Sequence, residues 1–355
     1  MVGFASNNVD PLLGAPATMV SCAEAEAVLR EHFNLAAQAT ALSSERDGNF
    51  RMRASDGADY LLKFASSAEA PSVTNLQTTA LRHLERRAPQ LPVPRLIAAR
   101  NGEDEVVVAL SGGRRHIVRL MTFLPGDALA ASSEQGAFRP LLAPLLAQLA
   151  LALEDFQHPS AEHDLLWDAS KALRVRPLVG SIADADRRAF AARMLDEYEA
   201  HTAPRLPHLR AQAIHNDFNP HNILVAADGG GTITGIIDFG DLIRAPLISD
   251  LATAIAYLPL DGSDPLDLLT DFTARYHAVL PLMDDERDVL LDLVRARQVM
   301  IVAITEWRAA RHPHNRAYIL RNNPRAWKSL SALGRLARQD VRDALQRACG
   351  KEKLP

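Results

Sequence analysis

Cysteine is scarce in this chain. Its 355 residues include only Cys22 and Cys349, near opposite ends. That excludes a disulfide framework and a thiolate metal centre, and fits a reducing compartment. An excess of positive charge is lacking too: 39 Lys and Arg face 43 Asp and Glu, for a net charge of -4. No polyanion-binding surface is implied, so no nucleic-acid partner is expected. No apolar run is long enough to span a bilayer. The most apolar stretch, residues 140–153, contains Pro144 and reads as a buried helix. The first residues show no basic segment followed by an apolar one, so no secretory signal is expected. These absences describe a soluble, cytoplasmic protein without a membrane partner. No internal repeat or low-complexity segment is evident, and the length suits two lobes around separate cores.

The pattern of what is present changes along the chain. Ser21 with Glu24 signals a capping box and a helix through about Phe33. "ALSSERDGNFRMR" and "ADYLLKFA" then read as two strands joined at Asp56-Gly57, a good hairpin turn. A helix from about Ser72 to Arg87 follows, with Leu76, Ala80, Leu81 and Leu84 on one face, and Pro92 and Pro94 stop it. "RLIAA", "EVVVAL" and "RHIVRLMTFL" read as three more strands, separated by Asn101-Gly102 and Gly112-Gly113. The expectation is a five-stranded antiparallel sheet with one inserted helix. "LPGDAL" at Leu124–Leu129 breaks it. Beyond, helices are expected at about 138–158, 184–201, 249–258, 264–279, 284–310 and 324–348, interrupted by one β island at 223–238. The fold class is therefore α+β, a sheet lobe followed by a mostly helical one.

The chemistry gathers at the island's entrance. "AIHNDFNPHNIL" holds His215, Asp217, Asn219, His221 and Asn222. "NILVAADGGGTITGIIDFG" behind it reads as a hairpin around a Gly-rich turn near Gly230, with Asn222 and Asp238 facing one another at its open end. Asp217 lies on the loop that enters. Two carboxylates and an amide are oxygen donors, which suit Mg²⁺ better than Zn²⁺. Each residue alone would pass for a turn or strand-end residue. Together, Asp, then Asn five positions on, then a strand pair ending in Asp-Phe-Gly is the arrangement of kinase catalytic loops. In that arrangement Asp217 takes the proton of the attacking hydroxyl, and Asn222 and Asp238 hold Mg²⁺. His215 reads as structural, holding the loop by hydrogen bonds. His221 reads as a solvated or packing residue, since no further ligands stand at zinc-site spacing.

A kinase also needs a cation on the nucleotide phosphates and a lid over them. Lys63, in "YLLKFA", is the only lysine in the first 120 residues and lies on an expected strand. The lid would be "SSERDGNF", where Gly48 and Asn49 let backbone amides approach phosphate oxygens. As a motif this is weak, with one glycine and no G-x-G.

These residues resemble the aminoglycoside phosphotransferase and choline kinase superfamily, with the hydroxylysine kinase branch nearest. The likeness runs from about Leu42 into the C-terminal helices and is carried by "FNPHNIL", "IIDFGD", "PLISDLATAIAYL" and "LQTTALRHLERRAPQLPVPRLI". It implies a protein-kinase-like, two-lobed fold: residues 1–120 bind nucleotide, 121–126 are the hinge, and 127–355 hold the catalytic loop and the acceptor. It implies ATP or GTP as donor and Mg²⁺ as cofactor. Met121, Thr122 and Phe123, through Leu124, would lie beside the base. Asp250 would anchor the catalytic loop's backbone. One departure stands out: the glutamate that usually pairs with the strand lysine is matched by Gln77, expected to orient Lys63 by a hydrogen bond.

Only about a dozen residues separate Asp238 from Asp250, with no long activation segment and no Ala-Pro-Glu. A peptide platform has no room, so a small hydroxyl acceptor is expected, one that contains an amine. Asp241, Tyr257, Glu306, Trp307 and Arg308 are the candidate pocket residues, acids for an amine and arginine for a carboxylate. A hydroxylysine-like acceptor leads, with homoserine, choline or ethanolamine and aminoglycosides as alternatives. A nucleotide-binding pseudokinase and an unrelated Mg²⁺-dependent hydrolase are the readings from other classes.

Overall fold

The computed structural model describes residues 18–44, 46–110, 113–227, 231–260 and 262–350. The turn centred near Gly230 lies outside the described residues, as do Glu45 of the expected lid and Gly112. Backbone contacts divide the chain into two compact units. One comprises Met1–Gly126, His158–His163 and Thr234–Gly240, the other Asp127–Gln157, Asp164–Ile233 and Asp241–Pro355.

In the first unit, α1 (Cys22–Phe33) opens on the expected capping box. Glu24 N–H donates to Ser21 Oγ, and the Glu24 carboxylate accepts from Ser21 N–H. Then come β1 (Ala37–Leu42), β2 (Gly48–Ala54), β3 (Asp59–Phe64), α2 (Pro71–Arg87), β4 (Leu96–Ile97), β5 (Val106–Ala109) and β6 (Arg115–Thr122). They form one antiparallel sheet in the order β1-β2-β3-β6-β4, with β5 also on β6. That is six strands, not five. The run "ALSSERDGNFRMR" is two strands, because its polar middle reverses the chain and pairs Leu42 with Asn49. At the β2–β3 turn Gly57 adopts φ +89°, and Asp56 accepts from Ala58 N–H. Helix α2 buries Leu76, Ala80, Leu81 and Leu84 as its periodicity requires.

The second unit contains β7 (Asp127–Ala128), α3 (Arg139–Ala152), α4 (Ala185–His201), β8 (Ala211–Ile214), β9 (Ile223–Val225), the first residue of β10 (Ile233–Ile236, the rest of which belongs to the first unit), β11 (Ile243–Pro246), α5 (Ile248–Tyr257), α6 (Pro265–Val279), α7 (Asp284–Arg311), α8 (Arg316–Ile319), α9 (Asn323–Leu333) and α10 (Arg338–Cys349). A run of 3-10 turns, Ala169–Ser181, was not expected. Nor was the island alone: β8 pairs with β11, Ile214 opposite Ile243, and β7 pairs with β9. Strands this short show no alternation to read. The expected helix 324–348 is two helices, broken where α9 ends at Gly334. Any Cβ there would meet the Leu330 carbonyl at 2.9 Å. No helix among the described residues is long and apolar enough to cross a membrane.

Helix α7 is buried over most of its length and packs against the 3-10 run, α4, α5 and α9. Its first turn is fixed by Glu286, fully buried, which accepts from Met283 N–H and forms an ion pair with Arg210 at 2.6 Å. Further along, Arg295 donates to the Leu333 and Leu336 carbonyls and so pins the turn between α9 and α10. Asp292 is its nearer anion, accepting from Arg295, Arg338 and Thr202, with Glu197 further off at 3.5 Å. Removing one partner of a buried ion pair leaves an uncompensated charge. Asp292→Ala is therefore expected to lower stability by about 3 kcal/mol in denaturant unfolding. A loss well under ~1 kcal/mol would mean that Arg295 is neutralised elsewhere.

Candidate active site

In the first unit the site is built on the face of β3. Lys63 lies opposite Asn49 on β2 and opposite Arg119 on β6, so all three side chains leave the same face. Two cations side by side need anions. Lys63 Nζ stands 2.9 Å from Asp47 Oδ2 and 3.8 Å from Asp238 Oδ1. Burial would lower the Lys63 ammonium, but these carboxylates outweigh it and hold its pKa above the ordinary value. Arg119, buried, donates to Gln77 Oε1 at 2.9 Å and faces Thr74 and Thr78. Burial dominates there and pulls its pKa below the usual arginine value.

This corrects the expectation for Gln77. Its carbonyl serves Arg119 and its amide donates to Glu69 at 3.3 Å. The partner of Lys63 is instead Asp47, in the turn between β1 and β2. Sequence reasoning missed it because a turn aspartate next to glycine looks like turn chemistry.

Gly48 and Asn49 are the first residues of β2. At Gly48 a Cβ would meet Val20 Cγ2 at 3.3 Å and Phe64 Cβ at 3.4 Å, so glycine permits a close approach to β3. In the hinge segment Thr122 N–H donates to Arg95 O and Phe123 N–H to Asp59 O, while Met121 is buried. The Arg51 guanidinium lies 4.7 Å from the centre of the Phe123 ring.

Asp238 follows β10 with φ +62°, a left-handed conformation shared among described non-glycine residues only by Asn34 and Asn216. Two of these three flank the kinase-like motif, where such strain is commonly stored. Asp238 Oδ1 accepts from Gly240 N–H at 3.2 Å, and a Cβ at 240 would crowd that oxygen at 3.0 Å. The rest of the carboxylate is half-exposed.

In the second unit the loop after β8 is folded around Asp217. Its Oδ2 accepts from Asn222 Nδ2 at 2.7 Å, and its Oδ1 from Asn219 Nδ2 at 2.8 Å. The Asn222 amide group also donates to the Asp217 carbonyl at 3.0 Å, which commits its N–H₂. His215 Nδ1 accepts from Asp217 N–H. Asp250, at the start of α5, accepts from the backbone N–H groups of His215 and Asn216 at 3.2 and 2.8 Å. Burial raises the Asp250 carboxyl to about 6, against those two bonds and the nearby Arg297. His221 N–H donates to Asn219 Oδ1 at 2.8 Å, and the pKa of its ring is lowered by burial and by Arg321.

Arg297, on α7, was not singled out in the sequence. Its Nη2 lies 3.3 Å from Asp217 Oδ1, Nη1 donates to the Trp167 carbonyl, and its guanidinium sits 5.1 Å from the Trp167 ring and 5.8 Å from that of Tyr257. A buried arginine inside "VRARQVMIVAI" was the available signal. Burial, offset by Arg297 and assisted by Asp217 and Asp241, lifts the Tyr257 hydroxyl to about 12.

The five candidate pocket residues do not form one group. Tyr257 and Asp241 belong with Asp217 and Arg297. Glu306 is about two and a half turns further along α7, on its opposite side. There it meets Arg316 and Asn323 and lines a cavity of about 510 Å³ with Arg187, Trp327 and Lys328. The Trp307 ring stacks under Arg311, and Arg308 is half-buried.

The chain is similar to known proteins in both sequence and fold. Residues 38–288 match the phosphotransferase enzyme family, and the chain belongs to that family. It is an enzyme, a small-molecule kinase, with the kinase-like fold. A hydroxylysine kinase of Danio rerio is 27% identical over 310 residues, covering 84% of this chain and 87% of the relative. Among solved structures, amicoumacin kinase hAmiN in complex with AMP-PNP, Ca²⁺ and Ami superposes with a TM-score of 0.62 at 15% identity, over 89% of this chain and 95% of that one. A microcompartment-associated aminopropanol kinase gives 0.61 at 18% identity, over 92% and 100%.

The Gln77 correction is testable by stability. Gln77→Leu removes the nearer of Arg119's side-chain acceptors, Thr78 Oγ1 standing at 3.4 Å, and is expected to cost about 2 kcal/mol, seen as a lower melting temperature. Gln77→Glu keeps an acceptor for Arg119 but sets a second carboxylate beside Glu69, so it should lose less than Gln77→Leu without melting above the wild type. Equal losses from both would show that Arg119 does not depend on this partner.

Proposed function

We propose that this enzyme transfers the γ-phosphoryl group of ATP or GTP to the hydroxyl of an amino alcohol or hydroxylated amino acid, with a hydroxylysine-like acceptor first among them. One observation carries the reading: a carboxylate, Asp217, held by Asn222, Asn219 and Arg297 in a loop whose backbone Asp250 fixes. A base that must meet a hydroxyl proton in one geometry needs such restraint.

In this reading the first unit, with Lys63 and the segment Met121–Phe123, binds the nucleotide, and the second binds the acceptor. The acceptor oxygen attacks the γ-phosphorus, the bond to the β-phosphate oxygen breaks, and the hydroxyl proton passes to Asp217. Asn222 Oδ1 and the Asp238 carboxylate are the proposed Mg²⁺ donors. They fit as hard oxygen ligands: the amide nitrogen of Asn222 is committed elsewhere, and Asp238 is half-exposed. When bound, Mg²⁺ would supply charge neutralisation on the phosphates. Asp241 beside Tyr257 offers a carboxylate for the acceptor's ammonium group. The names of the hydroxylysine and aminopropanol kinases support an acceptor with an amine and a hydroxyl. Both cysteines are free thiols, which agrees with a cytoplasmic setting.

The direct test is a panel of amino alcohols and hydroxy-amino acids assayed with each nucleotide. Hydroxylysine is expected to give the highest kcat/KM, and activity confined to aminoglycosides would overturn the acceptor assignment. Asp217→Asn keeps shape but cannot take the proton, so turnover should fall by roughly two to four powers of ten with nucleotide affinity little changed. Turnover within threefold of wild type, with chemistry rate-limiting, would refute the role of Asp217. Chelation with EDTA should abolish transfer, and added Mg²⁺ should restore it.

A further inference from the structure

We infer that Asp47 is the positioning residue for Lys63, taking from the β1–β2 turn the part that a helix glutamate plays in other kinases. The inference rests on reading Lys63 as the cation that meets the nucleotide phosphates.

The charges around β3 leave little alternative. Helix α2 offers Lys63 no carboxylate, because Gln77 occupies the facing position and is committed to Arg119 and Glu69. Arg119 stands directly across from Lys63 on β6, and its positive charge repels the ammonium. A lysine stem has four rotatable bonds, so without an anion to hold it the ammonium would swing away from its neighbour. Asp47 holds it at 2.9 Å. Asp47 is itself fixed, for its other oxygen accepts from Ser66 N–H at 2.9 Å. The carboxylate thus spans two points just beyond and upon one strand, the backbone after β3 and the side chain of β3.

Both members are poorly exposed, at 12% for Lys63 and 20% for Asp47, so solvent screens the pair weakly. Burial alone would raise the Asp47 carboxyl, but Lys63 and Ser66 more than offset it and hold it below the usual range. Gly48 packs closely against Phe64 and Val20, where a Cβ would make tight contacts at 3.4 and 3.3 Å, next to the aspartate that touches Nζ. Asp238 also lies near Lys63, but at 3.8 Å and with a half-exposed carboxylate that we assign to Mg²⁺.

The test is a double-mutant cycle on the full chain with whichever of ATP or GTP supports turnover. Asp47→Asn keeps the acceptor for Ser66 N–H and removes only the charge. It is expected to raise the nucleotide KM by about tenfold, with a smaller fall in kcat and an unchanged acceptor KM. Lys63→Met should raise the nucleotide KM at least as much. Adding Asp47→Asn to Lys63→Met should then cost no more than about twofold further, because the lysine to be positioned is gone. Equal losses in both backgrounds, or no change in nucleotide KM from Asp47→Asn alone, would make Asp47 a turn residue only. An unchanged nucleotide KM in Lys63→Met would sink the phosphate role of Lys63 and this inference with it. Should the asparagine variant prove too unstable, Asp47→Glu keeps the charge but moves it by one methylene. The same non-additivity is required of it.

Discussion

The loop that carries Asp217 hangs on one buried carboxylate. Asp250 is buried at the first turn of α5 and collects the backbone N–H groups of His215 and Asn216. Two consecutive amides can reach one carboxylate only if the chain bends sharply, and Asn216 does so at φ +63°. That bend turns the next residue, Asp217, toward α7 and Arg297. An unpaired carboxylate buried this deeply would be costly. The hydrogen bonds that offset the cost are the same ones that aim the loop, so loop geometry and the stability of α5 are one problem.

The sheet unit solves a different problem, two buried cations on one face. Its solution is to divide the anions. Arg119 is served by the helix through Gln77, whose amide is held by Glu69 just before the helix, and Lys63 by the turn through Asp47. Had both drawn on the helix, the lysine would have been pulled from the strand edge toward α2. Keeping the neutral amide on the helix leaves the turn as the source of charge for Lys63.

How much of this was legible in the sequence depended on distance along the chain. The capping box at Ser21, the hairpin at Asp56-Gly57 and the apolar face of α2 are local, and they were read directly. The motif from His215 to Asn222 was legible because its chemistry fixes the spacing of its residues. The link from Asp47 to Lys63 and the link from Gln77 to Arg119 were not. Both follow from register in the antiparallel sheet, and register sets the opposite face of every side chain at once. Arg297 lies 80 residues from Asp217, and only the packing of α7 brings the two together. The strands β8 and β11 escaped notice because four residues are too few to establish an alternation. The break at Gly334 escaped because the apolar pattern continues on both sides of it.

The segment after Asp238 has a consequence of its own. Within a few residues the chain enters β11, pairs with β8 and turns directly into α5. Ser249 and Thr253, on the helix that follows, are buried. A kinase switched by phosphorylation needs a stretch of chain that is loose in one state and ordered in the other. Here that stretch is already spoken for by a strand and a helix. A phosphate added there would break the packing instead of tripping a latch. Residues 239–248 themselves contain no Ser, Thr or Tyr to receive one.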